Sequence, residues 1–398
     1  MSHLDPTKLP ALDPADPAAL DDLLSDDEKE IRGAVRQMLD QSVEPYIAEW
    51  FENGAIPNIR ELTREFGSLG LLGMHLEGYG CAGMTATEYG LACLELEASD
   101  SGLRSLVSVQ GSLAMFAIWR WGSEEQKQQW LPGMATGELI GCFGLTEPDA
   151  GSDPGSMKTR ARRDGGDWVL TGNKMWISNA PFADVAVVWA MTDDGVRGFI
   201  VPADTPGFSA PEIKHKLSLR ASATGELVLD EVRLPESAML PEARGLKGPL
   251  ACLNEARYGI VWGSLGAARS SLEAARRYAI ERTQFGKPIG AFQLTQQKLA
   301  DMTLEYAKGY LLAVHLGRRK DNDLLRPEQV SMGKLNNVRE ALEICRTART
   351  ILGANGISLE YPVIRHANNL ESVLTYEGTV EMHTLVLGQV LTGEAAFR

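Results

Sequence analysis

Glu377 stands in Thr375-Tyr376-Glu377-Gly378-Thr379, an acidic side chain between an aromatic residue and a glycine. Val373 and Leu374 precede the segment and Leu385, Val386 and Leu387 follow it. A carboxylate in apolar surroundings has a raised pKa and becomes a usable general base near neutral pH. The same residues also read as a solvated turn between two helices, and the segment alone leaves both readings open. Arg104 and Ser105, within Asp100-Ser101-Gly102-Leu103-Arg104-Ser105, form a second candidate. A guanidinium fork beside a hydroxyl can receive a carboxylate. Arg104 also follows Asp100 by four residues, the spacing of an ordinary surface ion pair on a helix.

These groups need a scaffold, and the 398 residues are enough for two or three domains or several layers around a large core. From about 25 to 140 the chain reads as helices: Ser25-Asp26-Asp27-Glu28 resembles a capping box, followed by Ile31, Val35 and Leu39 at helical spacing. From about 141 to 245 it changes to short strands. Candidates are Asp167–Leu170, Val185–Met191, Gly198–Val201, Glu226–Leu229 and Glu231–Leu234, separated by turns such as Asp193-Asp194-Gly195 and Thr205-Pro206-Gly207. Beyond about 250 long helices return, with Leu265, Ala268, Leu272, Ala275 and Ala279 on one stripe and Leu335, Val338, Leu342 and Cys345 on another. The expected fold class is α+β: an N-terminal helical domain (1–140), a small β-barrel or sandwich domain (141–250) and a C-terminal helical bundle (251–398).

Composition removes several function classes. A net charge of −14 argues against nucleic acid, and a polyanionic ligand would have to be held by local arginines and backbone amides. The five cysteines and six histidines lack the spacing of a disulfide framework or a metal site, so no metal is expected. No apolar run reaches membrane-spanning length. The acidic N-terminus, with Asp13, Asp16, Asp21 and Asp22, lacks the features of a secretory signal or an organelle presequence, so a cytoplasmic, bacterial enzyme is the expectation. Gly78-Tyr79-Gly80-Cys81-Ala82-Gly83 matches the dinucleotide-binding glycine pattern. No strand–helix alternation surrounds it, and Thr85-Ala86-Thr87-Glu88 reads as a helix cap, so a plain loop is expected.

Cys142-Phe143-Gly144-Leu145-Thr146-Glu147-Pro148-Asp149-Ala150-Gly151-Ser152-Asp153 resembles the signature of the acyl-CoA dehydrogenase family, flavoenzymes that oxidise the α,β carbons of acyl-CoA thioesters. Lys174-Met175-Trp176-Ile177-Ser178-Asn179 resembles the segment against the flavin ring. Arg282-Thr283-Gln284-Phe285-Gly286, with Gln293, resembles the part that holds the FAD pyrophosphate and adenosine, and Leu352-Gly353-Ala354-Asn355-Gly356 another FAD turn. The matches occur in the family's order along nearly the whole chain. The resemblance implies FAD as cofactor, with Phe143, Leu145, Thr146, Ser152, Trp176, Ile177, Ser178, Arg282, Phe285, Gln293, Leu352, Gly353, Ala354 and Thr379 as its candidate contacts. It implies that Glu377 is the catalytic base, that Arg282 serves a neighbouring subunit's FAD in a homotetramer, and that an electron-transferring flavoprotein is the acceptor. The residue types suit these tasks: Trp176 offers a flat wall and Arg282 a planar fork for phosphate. Taken singly, Trp176 also reads as core and Arg282 as a solvated helix end.

Within the family, the stretch around Arg104 is similar to the branch that acts on glutaryl-CoA, whose acyl group ends in a carboxylate. Ser218-Leu219-Arg220-Ala221-Ser222, Asn254-Glu255-Ala256-Arg257-Tyr258-Gly259 and the end at Phe397 point the same way. By that resemblance Arg104, Ser105, Glu97, Ser152, Arg257, Tyr376, Gly378 and Phe397 face the substrate. The implied reaction is oxidative decarboxylation of glutaryl-CoA to crotonyl-CoA and carbon dioxide. A short-chain dehydrogenase, a non-decarboxylating enzyme, an oxygen-using oxidase and a non-catalytic acyl-CoA or flavin binder are the alternatives. Two departures stand out: Leu103 lies where relatives carry an aromatic, and Val380-Glu381-Met382 replaces a more usual His-Asp-Ile. Some members carry the base near position 256; here that is Ala256, and Glu255 points about 100° away around a helix.

Overall fold

The computed structural model describes residues 11–396. Its first part is helical: α1 (Asp26–Ser42), α2 (Ile47–Asn53), α3 (Ile59–Ser68), α4 (Ala86–Ser99), α5 (Ser101–Ser108), α6 (Phe116–Trp121) and α7 (Glu124–Ala135). Ser25 and Glu28 form the expected reciprocal cap of α1. Thr85 and Glu88 do the same for α4, so the glycine-rich 78–83 segment is a loop leading into a capped helix. A short π-helical stretch, Val109–Met115, joins α5 to α6.

One seven-stranded sheet follows, built from β1 (Gly141–Gly144), β2 (Arg160–Asp164), β3 (Asp167–Ser178), β4 (Val185–Thr192), β5 (Gly195–Pro202), β6 (Phe208–Ser209) and β7 (Thr224–Pro235). The order is β1-β4-β2-β3-β7-β6, with β5 also paired to β4. Its own core includes Leu170, Val188, Phe199, Leu227 and Val232. The segments expected as two strands, Glu226–Leu229 and Glu231–Leu234, are one strand, β7. Asp230 and Glu231 together oppose Thr171 of β3, and Glu231 adopts φ 52°, so the chain bulges and continues instead of turning.

The last part comprises α8 (Lys247–Glu281), a small hairpin of β8 (Thr283–Gln284) and β9 (Lys287–Pro288), then α9 (Gln293–Asp321), α10 (Pro327–Ile351), α11 (Val363–Thr375) and α12 (Val380–Thr392). Helices α8 and α4 cross closely because glycines remove side chains from the contact. A Cβ on Gly266 would lie 1.9 Å from the Leu94 carbonyl oxygen, and one on Gly90 would lie 2.4 Å from Trp262 Nε1. Trp262, Leu265, Leu91 and Leu94 are buried there, each large apolar side chain contributing about 1.5–3 kcal/mol. Asp321, at the end of α9, accepts from the Ala86 N–H at 2.7 Å and so caps α4. The Leu217–Ser222 loop ties all three parts together. Its Leu219 N–H donates to Asn369 Oδ1 of α11 at 2.8 Å, and Arg220 Nε donates to the Phe51 carbonyl of α2 at 2.7 Å.

Candidate active site

Position 377 lies in the turn between α11 and α12, with Glu377 at φ 55° and Gly378 at φ 96°. The left-handed conformation costs a non-glycine residue roughly 1 kcal/mol or more, and two cations, a half-buried arginine and a buried lysine, hold this turn. Arg257 Nε of α8 donates to the Glu377 carbonyl at 2.7 Å. Lys334 Nζ of α10 donates to the carbonyls of Tyr376 and, at 2.7 Å, of Gly378. Thr379 accepts from the Met382 N–H and caps α12. Glycine is required at 378 for a second reason: a Cβ there would sit 2.8 Å from His383 Nε2.

The Glu377 carboxylate oxygen Oε2 is shut off from solvent and accepts no hydrogen bond among the described residues. Burial raises its pKa above the ordinary carboxylate range, against the opposing pull of Arg104, Lys334 and Arg257. The Glu377 N–H also finds no acceptor among the described residues. A carboxylate with a raised pKa beside a free backbone donor can take a proton from carbon while the donor steadies charge on a neighbouring oxygen.

Arg104 meets this turn from the other side. It is wholly buried on α5, and its Nε donates to Glu97 Oε2 of α4 at 2.7 Å. Ser101 Oγ donates to the other Glu97 oxygen at 2.9 Å. Arg104 Nη2 donates to the Tyr376 hydroxyl, and the guanidinium lies 5.8 Å from the centre of the Tyr376 ring. Burial opposes its charge, but Tyr376, Glu97 and Glu377 outweigh that and hold its pKa high. The third arm, Nη1, is buried with no partner among the described residues. The ordinary alternative, pairing with Asp100, is not what the structure shows: Asp100 caps α5 and accepts from Arg365 Nη1 at 2.9 Å and Asn369 Nδ2 at 2.8 Å. Ser105 is buried beside Arg104 on the same short helix. Gly263 of α8 makes room for the pair, since a Cβ there would fall 2.2 Å from Glu97 Oε2.

A second set of predicted residues gathers at the edge of the sheet. The Met175 N–H donates to the Thr146 carbonyl at 2.9 Å, joining the loop after β1 to β3. Met175 and Trp176 together oppose Glu226 in a bulge, and Trp176 takes φ 62°. Trp176 is 56% exposed, whereas Phe143, Leu145 and Ile177 are buried. Beneath them lies a buried ion pair, Lys174 Nζ to Glu147 Oε1 at 2.8 Å, with Glu147 also accepting from the Lys158 and Thr159 N–H groups.

The three parts match the N-terminal (25–138), middle (142–232) and C-terminal (243–392) domain models of acyl-CoA dehydrogenases. The chain belongs to the acyl-CoA dehydrogenase family. A crystal structure of glutaryl-CoA dehydrogenase from Mycobacterium smegmatis is 69% identical, with TM-score 0.95 over 96% of this chain and 99% of that one. A glutaryl-CoA dehydrogenase of the same organism in complex with FADH2 is 64% identical, with TM-score 0.96 over 98% and 100%. The mitochondrial short-chain specific acyl-CoA dehydrogenase of Homo sapiens is 38% identical over 82% of this chain and 81% of its own length.

This acyl-CoA dehydrogenase is FAD-dependent, and the residues present fit the cofactor. A large indole exposed on a strained strand bulge, with Thr146 fastened next to it, offers a flat apolar face of the kind an aromatic ring system stacks on. Arg282 and Phe285 stand on the exposed β8–β9 hairpin, with Phe285 94% exposed and at φ 51°, and Gln293 opens α9. Leu352 is buried, while Gly353 (φ 60°) and Ala354 form an exposed turn.

The predicted residues thus fall into separate groups. Glu97, Arg104, Arg257, Tyr376, Glu377 and Gly378 converge, while Ser105 is buried next to Arg104 in sequence and shares no hydrogen bond with them among the described residues. Ser152 is exposed on the signature loop and shares no hydrogen bond with that cluster among the described residues; Phe397 lies outside the described residues. Leu103 is fully buried core, and Glu381 is an exposed residue of the first turn of α12. Glu255 pairs with Lys320 Nζ at 2.9 Å and lies away from the site. Sequence reasoning missed Lys334, Gly263 and the Lys174–Glu147 pair. For Lys334 a signal existed: it falls four residues after Val330 and four before Val338, on the apolar face of a helix.

Proposed function

We propose that this acyl-CoA dehydrogenase oxidises and decarboxylates glutaryl-CoA to crotonyl-CoA and carbon dioxide. The observation that carries this reading is the unpartnered Nη1 of Arg104. A buried donor left without an acceptor costs about 1–3 kcal/mol, and a carboxylate at the far end of an acyl chain would satisfy it bidentately beside Nη2. Glu97 fixes the guanidinium plane from behind, so the fork presents one open side.

In the proposed cycle the Glu377 N–H donates to the thioester carbonyl and so acidifies the α carbon. Glu377 takes the α proton as hydride leaves the β carbon. Trp176 and Thr146 would hold FAD, which would supply the hydride acceptor. The new double bond lies next to the γ carbon, and the distal carboxylate leaves as carbon dioxide with its electron pair moving toward the thioester. Glu377, now protonated, returns the proton at the γ carbon to give crotonyl-CoA. Its shielded Oε2 suits a group that must keep a proton between two steps.

We further propose a homotetramer in which the exposed β8–β9 hairpin serves a neighbouring subunit, supported by exposed Phe285, Leu294, Leu304 and Leu311 on that hairpin and α9. An electron-transferring flavoprotein as acceptor and a cytoplasmic site of action complete the proposal; no helix among the described residues is long and apolar enough to cross a membrane. The deciding experiment is anaerobic titration of the purified protein with glutaryl-CoA. Bleaching of the flavin with stoichiometric carbon dioxide and crotonyl-CoA is expected. Glutaconyl-CoA as the end product would replace the decarboxylating reading, and bleaching by butyryl-CoA alone would replace the substrate.

A further inference from the structure

Three successive carbonyls, those of Tyr376, Glu377 and Gly378, are each held by a cation from a different helix than the turn itself. Two of the three bonds come from one atom, Lys334 Nζ, and they bracket the glutamate. Lys334 is 2% exposed, on the face of α10 that also buries Val330, Asn337 and Val338. An ammonium in such a place carries a large desolvation cost unless its protons are used. The only oxygens it donates to among the described residues are the two that flank position 377.

Resting on the reading of Glu377 as the base, we infer that Lys334 is a positioning residue for it: by pinning the carbonyls on both sides, it imposes the left-handed turn and aims the carboxyl into the site. The turn has no regular backbone ladder of its own, and glutamate at φ 55° relaxes if released. Arg257 holds the Glu377 carbonyl and with it the 377–378 peptide, which leaves the 376–377 and 378–379 peptides to Lys334. Charge adds to geometry. Burial draws the Lys334 pKa down to about 7, Glu377 pulls it up, and Arg257 and Arg104 push it down. The protonated amine in turn favours the ionised form of Glu377 that can accept a proton. The other titratable groups facing this turn are Tyr376 and His383. Burial raises the first and holds the second at about 3, so His383 stays neutral.

The test uses the full-length, FAD-loaded protein and its Lys334→Met variant, whose side chain is apolar and of similar length. Amide hydrogen exchange across residues 374–380 is expected to accelerate by ~10-fold or more while the middles of α10 and α11 stay protected. Flavin reduction by acyl-CoA is expected to slow ~100-fold with substrate affinity changed little. Its acid limb should move up by about one pH unit, because a positive neighbour of Glu377 has been removed. Unchanged exchange in 374–380 together with an unmoved acid limb overturns the inference. Lys334→Gln keeps an N–H donor pair and removes the charge, so it serves if the methionine variant does not fold. For Lys334→Gln the acid limb is expected to move with a smaller gain in exchange, and no change in either overturns the inference. If neither glutaryl-CoA nor butyryl-CoA bleaches the wild-type flavin, the proposed reaction fails instead, and the exchange of 374–380 still decides the role of Lys334.

Discussion

The Lys174–Glu147 pair under the sheet and the Arg104–Glu97 pair among the helices are both shut away from solvent, with N···O distances of 2.8 and 2.7 Å. They differ in what is left over. Glu147 accepts from two backbone N–H groups besides the lysine, and Lys174 also donates to the Leu145 carbonyl at 3.1 Å. In the other pair an arm of the arginine has no partner among the described residues. A saturated buried pair fastens one segment to another. An unsaturated one keeps a donor available for a further acceptor, which under the proposed function is the distal carboxylate of the substrate. The remainder, more than the ion pair, distinguishes framework from site.

Four measurements can break this contrast, beginning with the largest expected effect. Lys174→Met should destabilise the protein by about 3–5 kcal/mol, since Glu147 is left buried without its cation. Denaturant unfolding checks it, and the Lys174→Met/Glu147→Leu double variant should recover much of the loss. A destabilisation under 1 kcal/mol would mean the pair fastens nothing. Glu95 offers a second saturated case: it accepts from both Arg36 and Arg269, and despite burial those partners hold its pKa at about 2. A depressed carboxylate contributes stability that is complete above its unfolded value and lost as pH falls toward the folded one. Roughly 3 kcal/mol should therefore disappear between about pH 5 and pH 2, and Glu95→Gln should flatten that part of the stability curve.

For the unsaturated pair the expected loss is in substrate choice. Arg104→Ala should lower kcat/KM for glutaryl-CoA ~100-fold, about 2.7 kcal/mol, while butyryl-CoA is affected little. Equal losses with both would remove the carboxylate anchor. The smallest effect belongs to Gly263→Ala. Its Cβ must displace Glu97, which should tilt the guanidinium and raise KM for glutaryl-CoA ~10-fold without abolishing turnover.

The same contrast explains what could be read from the sequence. The motifs around Phe143, Trp176, Arg282 and Glu377 are local, so their spacing survives in one dimension, and so do the caps at Ser25 and Thr85. The convergence of Glu97 with Arg104 was legible only through the family resemblance, since spacing alone offered Asp100 as the partner of Arg104. Lys334 was not, because its partners are carbonyls 42 and 44 residues away in sequence, and a carbonyl leaves no trace in a residue name. Gly263 reads as one more small helix residue until α4 is laid against it. The continuity of β7 was hidden because the bulge at Asp230 and Glu231 looks like a turn.

Glu377 and Trp176 both occupy left-handed backbone that glycine or asparagine would adopt at lower cost. At each position the fittest residue for folding therefore differs from the residue present. A library selected only for heat resistance should drift toward glycine or asparagine at positions 377 and 176, gaining melting temperature as it loses its chemistry. Breeding a sturdier variant of this protein means holding those two codons fixed and searching elsewhere.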